Sequence, residues 1–240
     1  MPEDQDHYEA RCVMVVVAHP DDAEFGSAGT VAKWAREGKE IVYVLCTSGD
    51  KGTSDRSISP AQLAEVRRRE QEAACRVLGV KEVVFLGYED GVLQSTLELR
   101  RDIVRQIRRF KPDIVICPDP TSRWYGQQYL NHPDHRAAGD AALDAIYPSA
   151  RDPHVFTELL AEGLEPHKVR EVYITTREKA DLFVDITDTI DLKIAALREH
   201  ASQIGDRKDQ VETWVREGAR RLAEGQDMEY AESYKYIKLG

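Results

Sequence analysis

A short apolar run near the N-terminus, Val13 to Val17, limits the possible folds more than any other part of the chain. Five apolar residues bounded by a turn are typical of a strand buried on both faces, as in parallel sheets. A helix is predicted next, over residues 26–37, because Val31, Trp34 and Ala35 recur there at helical spacing. The sequence therefore begins with a strand–helix unit of an α/β protein.

The same alternation of an apolar strand with an amphipathic helix recurs three more times. Pro60 stands at the first position of one of these helices, and Pro112 ends another. Consecutive strand–helix units build a right-handed parallel sheet. We therefore predict a Rossmann-like α/β fold, with a mainly parallel sheet flanked by helices on both faces. The further predicted strands are 40–46, 82–86 and 113–117, and the further predicted helices are 60–78, 97–110 and 133–146.

The second half of the chain adds elements to this core without a convincing linker. Residues 118–131 form a long aromatic loop, which is typical of a binding loop. We predict a single domain over residues 1–240, with a core at about 12–205 and a C-terminal helical extension at 206–240. The tail from Tyr230 to Leu239 alternates tyrosines with charges and receives no assignment of its own. The added strands are predicted at 171–175 and 182–186, the added helices at about 189–203 and 208–224, and irregular chain at 148–168.

The charge and composition argue against several classes of function. A net charge of −10 and a pI near 5.3 would repel phosphate backbones, so we expect no nucleic-acid partner. No apolar run approaches the roughly 18 residues of a membrane span, and the acidic stretch 1–10 is unlike a signal peptide. The four cysteines lack CxxC spacing and are expected to be reduced thiols. We predict a cytoplasmic protein that acts on a small molecule.

Three groups of ionisable side chains follow predicted strands. They are His19, Asp21 and Asp22 after the first strand, Asp90 after the third, and His132, Asp134 and His135 after the fourth. Because the carboxyl ends of parallel strands meet at one edge, where ligands bind in open α/β sheets, we expect these groups to lie close together. Imidazole nitrogens and carboxylate oxygens suit Zn²⁺, and three protein ligands with one open position form the catalytic arrangement.

Each group alone also has a simpler interpretation. His132 and His135 fall on one face of the first turn of a helix, where they fit helix capping as well as metal binding. Asp21 and Asp22 also fit an N-cap of the helix that follows. The occurrence of both groups at strand ends of one sheet favours a metal site. His200 receives no predicted role at this stage.

Two short motifs carry a family resemblance. The stretches AHPDD (18–22) and HPDH (132–135) resemble the paired signature motifs of the PIG-L/LmbE-like zinc deacetylases, which hydrolyse N-acetylglucosamine-type amides. The resemblance covers about residues 12–205 and is closest to the diacetylchitobiose and bacillithiol-pathway deacetylases. Further matching positions are 47–52, Arg67-x-x-Glu70, 78–80, Asp90 and Ser202-Gln203.

The resemblance implies a role for each matching residue. The zinc ligands would be His19, Asp22 and His135, with one Zn²⁺ per chain. Asp21 would be the general base. His132, oriented by Asp134, would stabilise the oxyanion, and either Asp21 or His132 would protonate the leaving amine. The residues implied or proposed to contact substrate are Arg67, Asp90, Asn131, Trp124 and Tyr129.

The chain departs from the family pattern in two places. Ala23 stands before Glu24, where many members have an acid directly after the aspartate pair. Leu130, with Tyr129 beside it, stands where some members place a tyrosine two residues before the second motif.

We expect a zinc-dependent deacetylase that releases acetate and a free amine from an N-acetylglucosaminyl compound. The alternatives are an amidase of the same fold acting on a thiol conjugate and a metal-dependent phosphoesterase. A nucleotide-binding module without catalysis would instead place Gly-x-Gly-x-x-Gly after the first strand, where this chain has His-Pro-Asp-Asp. The family resemblance also implies a homo-oligomer, often a hexamer.

Overall fold

The main strands form a seven-stranded sheet, and helices cover both of its faces. The computed structural model describes residues 9–127 and 129–240. The prediction that the acidic stretch 1–10 is unlike a signal peptide falls mostly on residues 1–8, which lie outside the described residues. The strands are β1 (Cys12–Val17), β2 (Glu40–Thr47), β3 (Glu82–Tyr88), β4 (Ile114–Pro118), β5 (Trp124–Tyr125), β6 (Tyr129–Leu130), β7 (Glu171–Thr175), β8 (Leu182–Asp185) and β9 (Ala231–Lys238). The helices are α1 (Asp22–Arg36), α2 (Pro60–Leu78), α3 (Leu97–Phe110), α4 (Pro133–Asp144), α5 (Glu158–Ala161), α6 (Ile190–Glu199), α7 (Ala201–Ile204) and α8 (Lys208–Leu222).

The strand order is β3-β2-β1-β4-β7-β9-β8. The strands from β3 to β7 in this order pair in parallel, and β9 runs antiparallel between β7 and β8. The order of the chain reverses between β1 and β4, which is where open α/β sheets form a ligand crevice. The predicted Rossmann-like α/β class is therefore confirmed, and the sheet itself gives the place of the site.

The side chains of β1 alternate between the two faces of the sheet. Val13, Val15 and Val17 pack against α1 and α2, whereas Met14 and Val16 pack against α3 and α4. All five are buried, as expected for a central parallel strand. A third apolar cluster joins α6 to α8 behind the first layer of helices.

Helix α1 begins at Asp22, four residues earlier than the sequence predicts. The residue before it, Asp21, has a φ of 87°, in the left-handed region. This turn reverses the chain directly after Pro20, so no loop separates the end of β1 from the helix. The first turn of α1 thereby carries the acidic residues of the first motif.

The predicted helical extension at 206–240 is correct for α8 and wrong for the tail, which forms strand β9. The alternation of tyrosines with charges has the period of a strand rather than that of a helix. Because β9 lies inside the sheet, both faces of its first half are covered, and Glu232 and Tyr234 are buried. The tail therefore completes the sheet of the single domain.

Two other segments differ from their predictions. The helix predicted at 189–203 breaks at His200 into α6 and α7. The loop at 118–131 contains a small hairpin of β5 and β6, and the segment predicted to be irregular contains the one-turn helix α5.

All four cysteines are free thiols, as predicted, and three of them are buried. Among the described residues, no helix combines the length and apolar character needed to cross a membrane.

Candidate active site and metal centre

All three predicted groups of ionisable residues lie at one edge of the sheet. His19 follows β1, Asp90 follows β3, and His132 caps the N-terminus of α4. The rings of His19 and His132 have centroids 4.8 Å apart, and His19 lies 3.1 Å from an oxygen of Asp90. The structure thus brings together side chains that are more than 100 residues apart in the chain.

The carboxylate of Asp22 contacts both imidazoles predicted to hold the metal. Its Oδ1 lies 3.0 Å from Nε2 of His135, and its Oδ2 lies 3.3 Å from Nδ1 of His19. Burial raises the pKa of Asp22, but the two histidines lower it further, and the net pKa is well below the usual value. This carboxyl group is therefore an anion at neutral pH.

The remaining nitrogen of each imidazole is held by a protein oxygen. His19 Nε2 lies 3.1 Å from Asp90 Oδ1 and 3.3 Å from Asp134 Oδ2, and His135 Nδ1 lies 3.1 Å from Asn131 Oδ1. Metal-binding histidines characteristically donate their second N–H to a carboxylate or amide oxygen in this way. The nitrogens left over, Nδ1 of His19 and Nε2 of His135, are the two that face Asp22.

The donor set fits a metal cation. Burial lowers the pKa of His19, but Asp22, Asp134 and Asp90 raise it to about 12, which means that these carboxylates stabilise positive charge at this point. Two groups of potential ligands are closely spaced among the described residues: His19, His132 and His135, and His19, Asp90 and Asp134. The predicted set His19, Asp22 and His135 shares two imidazoles with the first group, and both of them contact the carboxylate of Asp22.

Asp134 lies at a different position from the one expected of a partner of His132. Its buried carboxylate accepts hydrogen bonds from the amides of Gly91, at 2.7 Å, and Leu93, at 3.2 Å, and contacts His19. The distance from its Oδ1 to Nδ1 of His132 is 3.8 Å, which is too long for a hydrogen bond. Its carboxylate therefore orients His19, whereas its contact with His132 is made by its backbone N–H.

Asp90 and Asn131, both predicted to contact substrate, are also buried against protein groups. Asp90 accepts the amide of Lys51 at 2.8 Å. Burial raises the pKa of Asp90, but the hydrogen bonds from His19 and Lys51 lower it to about 2. The side-chain nitrogen of Asn131 donates to the carbonyl of Ser122 at 2.7 Å, which directs its oxygen towards His135.

Asp21 precedes the predicted metal ligand Asp22, and Nη2 of Arg67 lies 3.2 Å from Oδ2 of the Asp21 carboxylate. Burial raises the pKa of Asp21 to about 7, although Arg67 opposes this rise. A carboxyl group with a pKa near neutrality can both accept and return a proton. Arg67 is itself buried and donates to the carbonyls of Pro20 and Gly49, and its contact with substrate stays a prediction.

His132 presents one nitrogen to the site. Its Nδ1 accepts the amide N–H of Asp134 at 3.2 Å, so the neutral ring carries its proton on Nε2. Burial and the neighbouring His19 lower the pKa of His132, which favours this neutral form. The ring is partly exposed and can donate a hydrogen bond from Nε2 to a bound molecule.

A cavity of about 1170 Å³ opens over these residues. Tyr129 of the hairpin lines it, as predicted, whereas Trp124 is exposed outside the lining residues. The sequence interpretation did not include Phe25 and Trp214, which also line the cavity and make an edge-to-face contact with ring centroids 5.6 Å apart. Phe25 lies one helical turn after Asp21, a spacing that was available as a signal in the sequence.

Residues 14–146, more than half of the chain, match the PIG-L family, whose description is GlcNAc-PI de-N-acetylase. The chain belongs to this family. It is 34% identical over 232 residues to the diacetylchitobiose deacetylase of Thermococcus kodakarensis, covering 95% of this chain and 84% of that protein. The match begins in β1 and ends after α4, so it includes both motifs of the site.

The chain is also similar in sequence and in structure to other deacetylases. A 1D-myo-inositol 2-acetamido-2-deoxy-alpha-D-glucopyranoside deacetylase of Nocardioides sp. is 27% identical, covering 80% of this chain and 83% of that protein. The structure of the N,N'-diacetylchitobiose deacetylase of Pyrococcus horikoshii, complexed with an inhibitor, superposes with a TM-score of 0.87 at 34% identity. The superposition covers 96% of this chain and 85% of that one.

Proposed function

We propose that this PIG-L protein is a zinc-dependent deacetylase that hydrolyses the N-acetyl amide of an N-acetylglucosamine-type substrate. The observation that carries the proposal is that the carboxylate of Asp22 contacts the imidazoles of both His19 and His135, while the carboxylate of the preceding residue, Asp21, pairs with Arg67. An amide hydrolase needs an activated water, a base and a group that stabilises the oxyanion, and each has a candidate residue here.

His19, Asp22 and His135 would hold one zinc ion per chain, with a fourth position open to water and substrate. Zinc bound there would polarise the amide carbonyl and lower the pKa of a water molecule towards about 7. Asp90 and Asp134 keep Nδ1 of His19 turned towards the site, and Asn131 does the same for Nε2 of His135.

Asp21 would accept the proton of the attacking water. Its neighbour Asp22 is bound between the two imidazoles, so Asp21 is the carboxylate that stays free for proton transfer. Arg67 holds Oδ2 of Asp21 at 3.2 Å, which leaves Oδ1 to receive the proton. When the C–N bond breaks, the same carboxyl group can return this proton to the nitrogen, and a free amine and acetate leave.

His132 would stabilise the negative charge that develops on the carbonyl oxygen. Because its Nδ1 is occupied by the amide of Asp134, its Nε2–H is the donor available to the oxyanion. Loss of one such donor typically costs about 3–4 kcal/mol of transition-state stabilisation.

Two observations support the proposed substrate class. The names of the two relatives have in common a sugar that carries a 2-acetamido group. The cavity is lined by aromatic rings, which suit the apolar face of a pyranose. A phosphoesterase is disfavoured, because the guanidinium of Arg67 is already paired with Asp21 and is not free to bind a phosphate.

Acetate release from N-acetylglucosamine and from diacetylchitobiose tests this proposal. We expect the purified protein to release acetate, to lose this activity after treatment with a chelator, and to regain it when zinc is added. Absence of acetate release from both sugars by zinc-loaded protein would contradict the proposal. If such protein instead hydrolysed an amide of a thiol conjugate, the alternative amidase would be correct.

A further inference from the structure

A buried chain of hydrogen bonds links His200 to the backbone of Asp21. Nε2 of His200 lies 3.1 Å from Oε2 of Glu24, and both side chains are fully buried. The amide nitrogen of Gln71 donates to Oε1 of Glu24 at 2.9 Å, and the backbone N–H of Asp21 donates to Oε1 of Gln71 at 3.1 Å. None of the three linking side chains is among the proposed metal ligands.

The direction of each bond in this chain is fixed by the chemistry of its members. The backbone N–H of Asp21 can only donate, so Gln71 accepts it with Oε1 and turns its amide nitrogen towards Glu24. Nδ1 of His200 has no hydrogen-bond partner among the described residues, so Glu24 is the polar contact that accounts for the burial of this ring.

Asp21 needs external support for its backbone conformation. Its φ of 87° lies in the left-handed region, which residues other than glycine adopt less readily. Helix α2 holds it from two sides, because Gln71 accepts its backbone N–H and Arg67 contacts its carboxylate. Removal of either contact should let the carboxylate of Asp21 move away from its position next to Asp22.

The segment that contains His200 makes further contacts with the same helix and the loop beside it. Ser202 donates its amide and hydroxyl to the carboxylate of Glu70, at 2.7 and 2.6 Å, and Gln203 donates to the carbonyl of Gly52 at 3.3 Å. The break between α6 and α7 at His200 allows its ring to turn inwards while Ser202 and Gln203 reach α2 and the loop.

We propose that His200 is a positioning residue that holds the general base Asp21 in place through Glu24 and Gln71. It touches neither the metal ligands nor the cavity, and it acts on the proton-transfer step through the backbone of Asp21. The inference rests on the proposed function only where it calls Asp21 the base. The geometric part of the inference can be tested without any activity.

The test compares two substitutions at His200. His200→Leu removes the donor to Glu24 at similar volume, whereas His200→Gln keeps an N–H near the place of Nε2. For His200→Leu we expect kcat for acetate release to fall by about 10-fold to 100-fold, as for other supporting residues of active sites, with KM and bound zinc unchanged. His200→Gln should restore most of kcat, which a merely space-filling role for the ring would not predict.

His167→Leu is the matched control. His167 is a partly buried histidine that bonds a backbone carbonyl, that of Pro112, at 2.8 Å. All variants are assayed well below their unfolding temperatures, and His167→Leu should keep wild-type kcat. An unchanged kcat in His200→Leu, or a loss of zinc in proportion to activity, would overturn the inference.

A crystal structure of His200→Leu separates this inference from the proposed function. We expect Asp21 to leave the left-handed region or its contact with Arg67, which is 3.2 Å in the parent chain. An unchanged Asp21 in that structure would overturn the inference even if the enzyme is a deacetylase. If the wild-type protein released no acetate, the proposed function would fail, and the structure of the variant would still decide whether His200 positions Asp21.

Discussion

At the scale of single residues, the imidazole of His19 has a carboxylate contact on each of its ring nitrogens. Asp22 lies at Nδ1, and Asp90 and Asp134 lie at Nε2. The sequence predicts all four as site residues, three from the two motifs and Asp90 from the loop after the third strand, but it does not reveal which carboxylate faces which nitrogen. That assignment depends on the amides of Gly91 and Leu93, which fix Asp134 and carry no signal in the sequence.

Asp134→Asn should weaken metal binding by about 10-fold to 100-fold, because the amide cannot accept every hydrogen bond that the buried carboxylate accepts and His19 loses its orientation. Competition with a chromogenic chelator measures the zinc affinity. The surface variant Asp144→Asn serves as the control and should bind zinc as the parent does. An unchanged affinity in Asp134→Asn would show that Asp134 does not orient a metal ligand.

Asp21→Asn removes the base without removing a proposed ligand. We expect kcat for acetate release to fall by about 10²-fold to 10⁴-fold, the usual contribution of a positioned general base. Zinc content, measured on the same preparation, should be that of the parent. Full activity would rule out Asp21 as the base, and loss of zinc would indicate that Asp21 is a ligand instead.

At the scale of elements, local chemistry predicts some boundaries better than others. The bounds of α2 and α3 are as predicted, since Ser59 and Gly79 cap α2 and Thr96 caps α3. The start of α1 and the break at His200 differ from the predictions, because both depend on contacts between residues distant in sequence. These are the contacts of Asp21 with α2 and of His200 with Glu24. Helix propensity has no information about such contacts.

Arg108 of α3 stabilises the fold through hydrogen bonds that the composition of the chain does not reveal. Its buried guanidinium donates to backbone carbonyls of the segment that follows α4: those of Ser149, Ala150, Asp152 and Val155. Arg108→Met leaves these carbonyls without their donor and should lower the free energy of unfolding by about 3 kcal/mol. Urea denaturation measures the change.

Arg69→Met is the control for this substitution, since Arg69 is largely exposed and pairs with Glu65 on the surface of α2. We expect it to change the free energy of unfolding by no more than about 0.5 kcal/mol. Equal effects of the two substitutions would contradict the role given to Arg108.

At the scale of the whole molecule, the strand order determines where the site forms. The reversal between β1 and β4 opens the crevice, and the helices that start there, α1 and α4, carry the two motifs. The sequence was sufficient to predict this edge. It was not sufficient to place β9, whose neighbours β7 and β8 precede it by many residues. The homo-oligomeric state, the possible hexamer and the cytoplasmic location stay predictions.

Phe25 and Trp214 line the same cavity as the predicted metal ligands, and we predict that this aromatic pair contacts the second sugar of a disaccharide substrate. Trp214→Ala should lower kcat/KM for diacetylchitobiose by about 5-fold to 10-fold, the loss of roughly 1 kcal/mol of ring contact. The value for N-acetylglucosamine should change little. An equal fall for both sugars would show that Trp214 acts on the fold and not on the second sugar.

The central claim is that one metal ion, held by His19, Asp22 and His135, is needed for deacetylation. Elemental mass spectrometry and acetate release, measured on the same preparations of the parent chain and of His135→Ala, test it most directly. We predict about one zinc per chain with activity in the parent, and neither in a folded His135→Ala protein. Full acetate release by a parent chain that has been stripped of metal would contradict the claim.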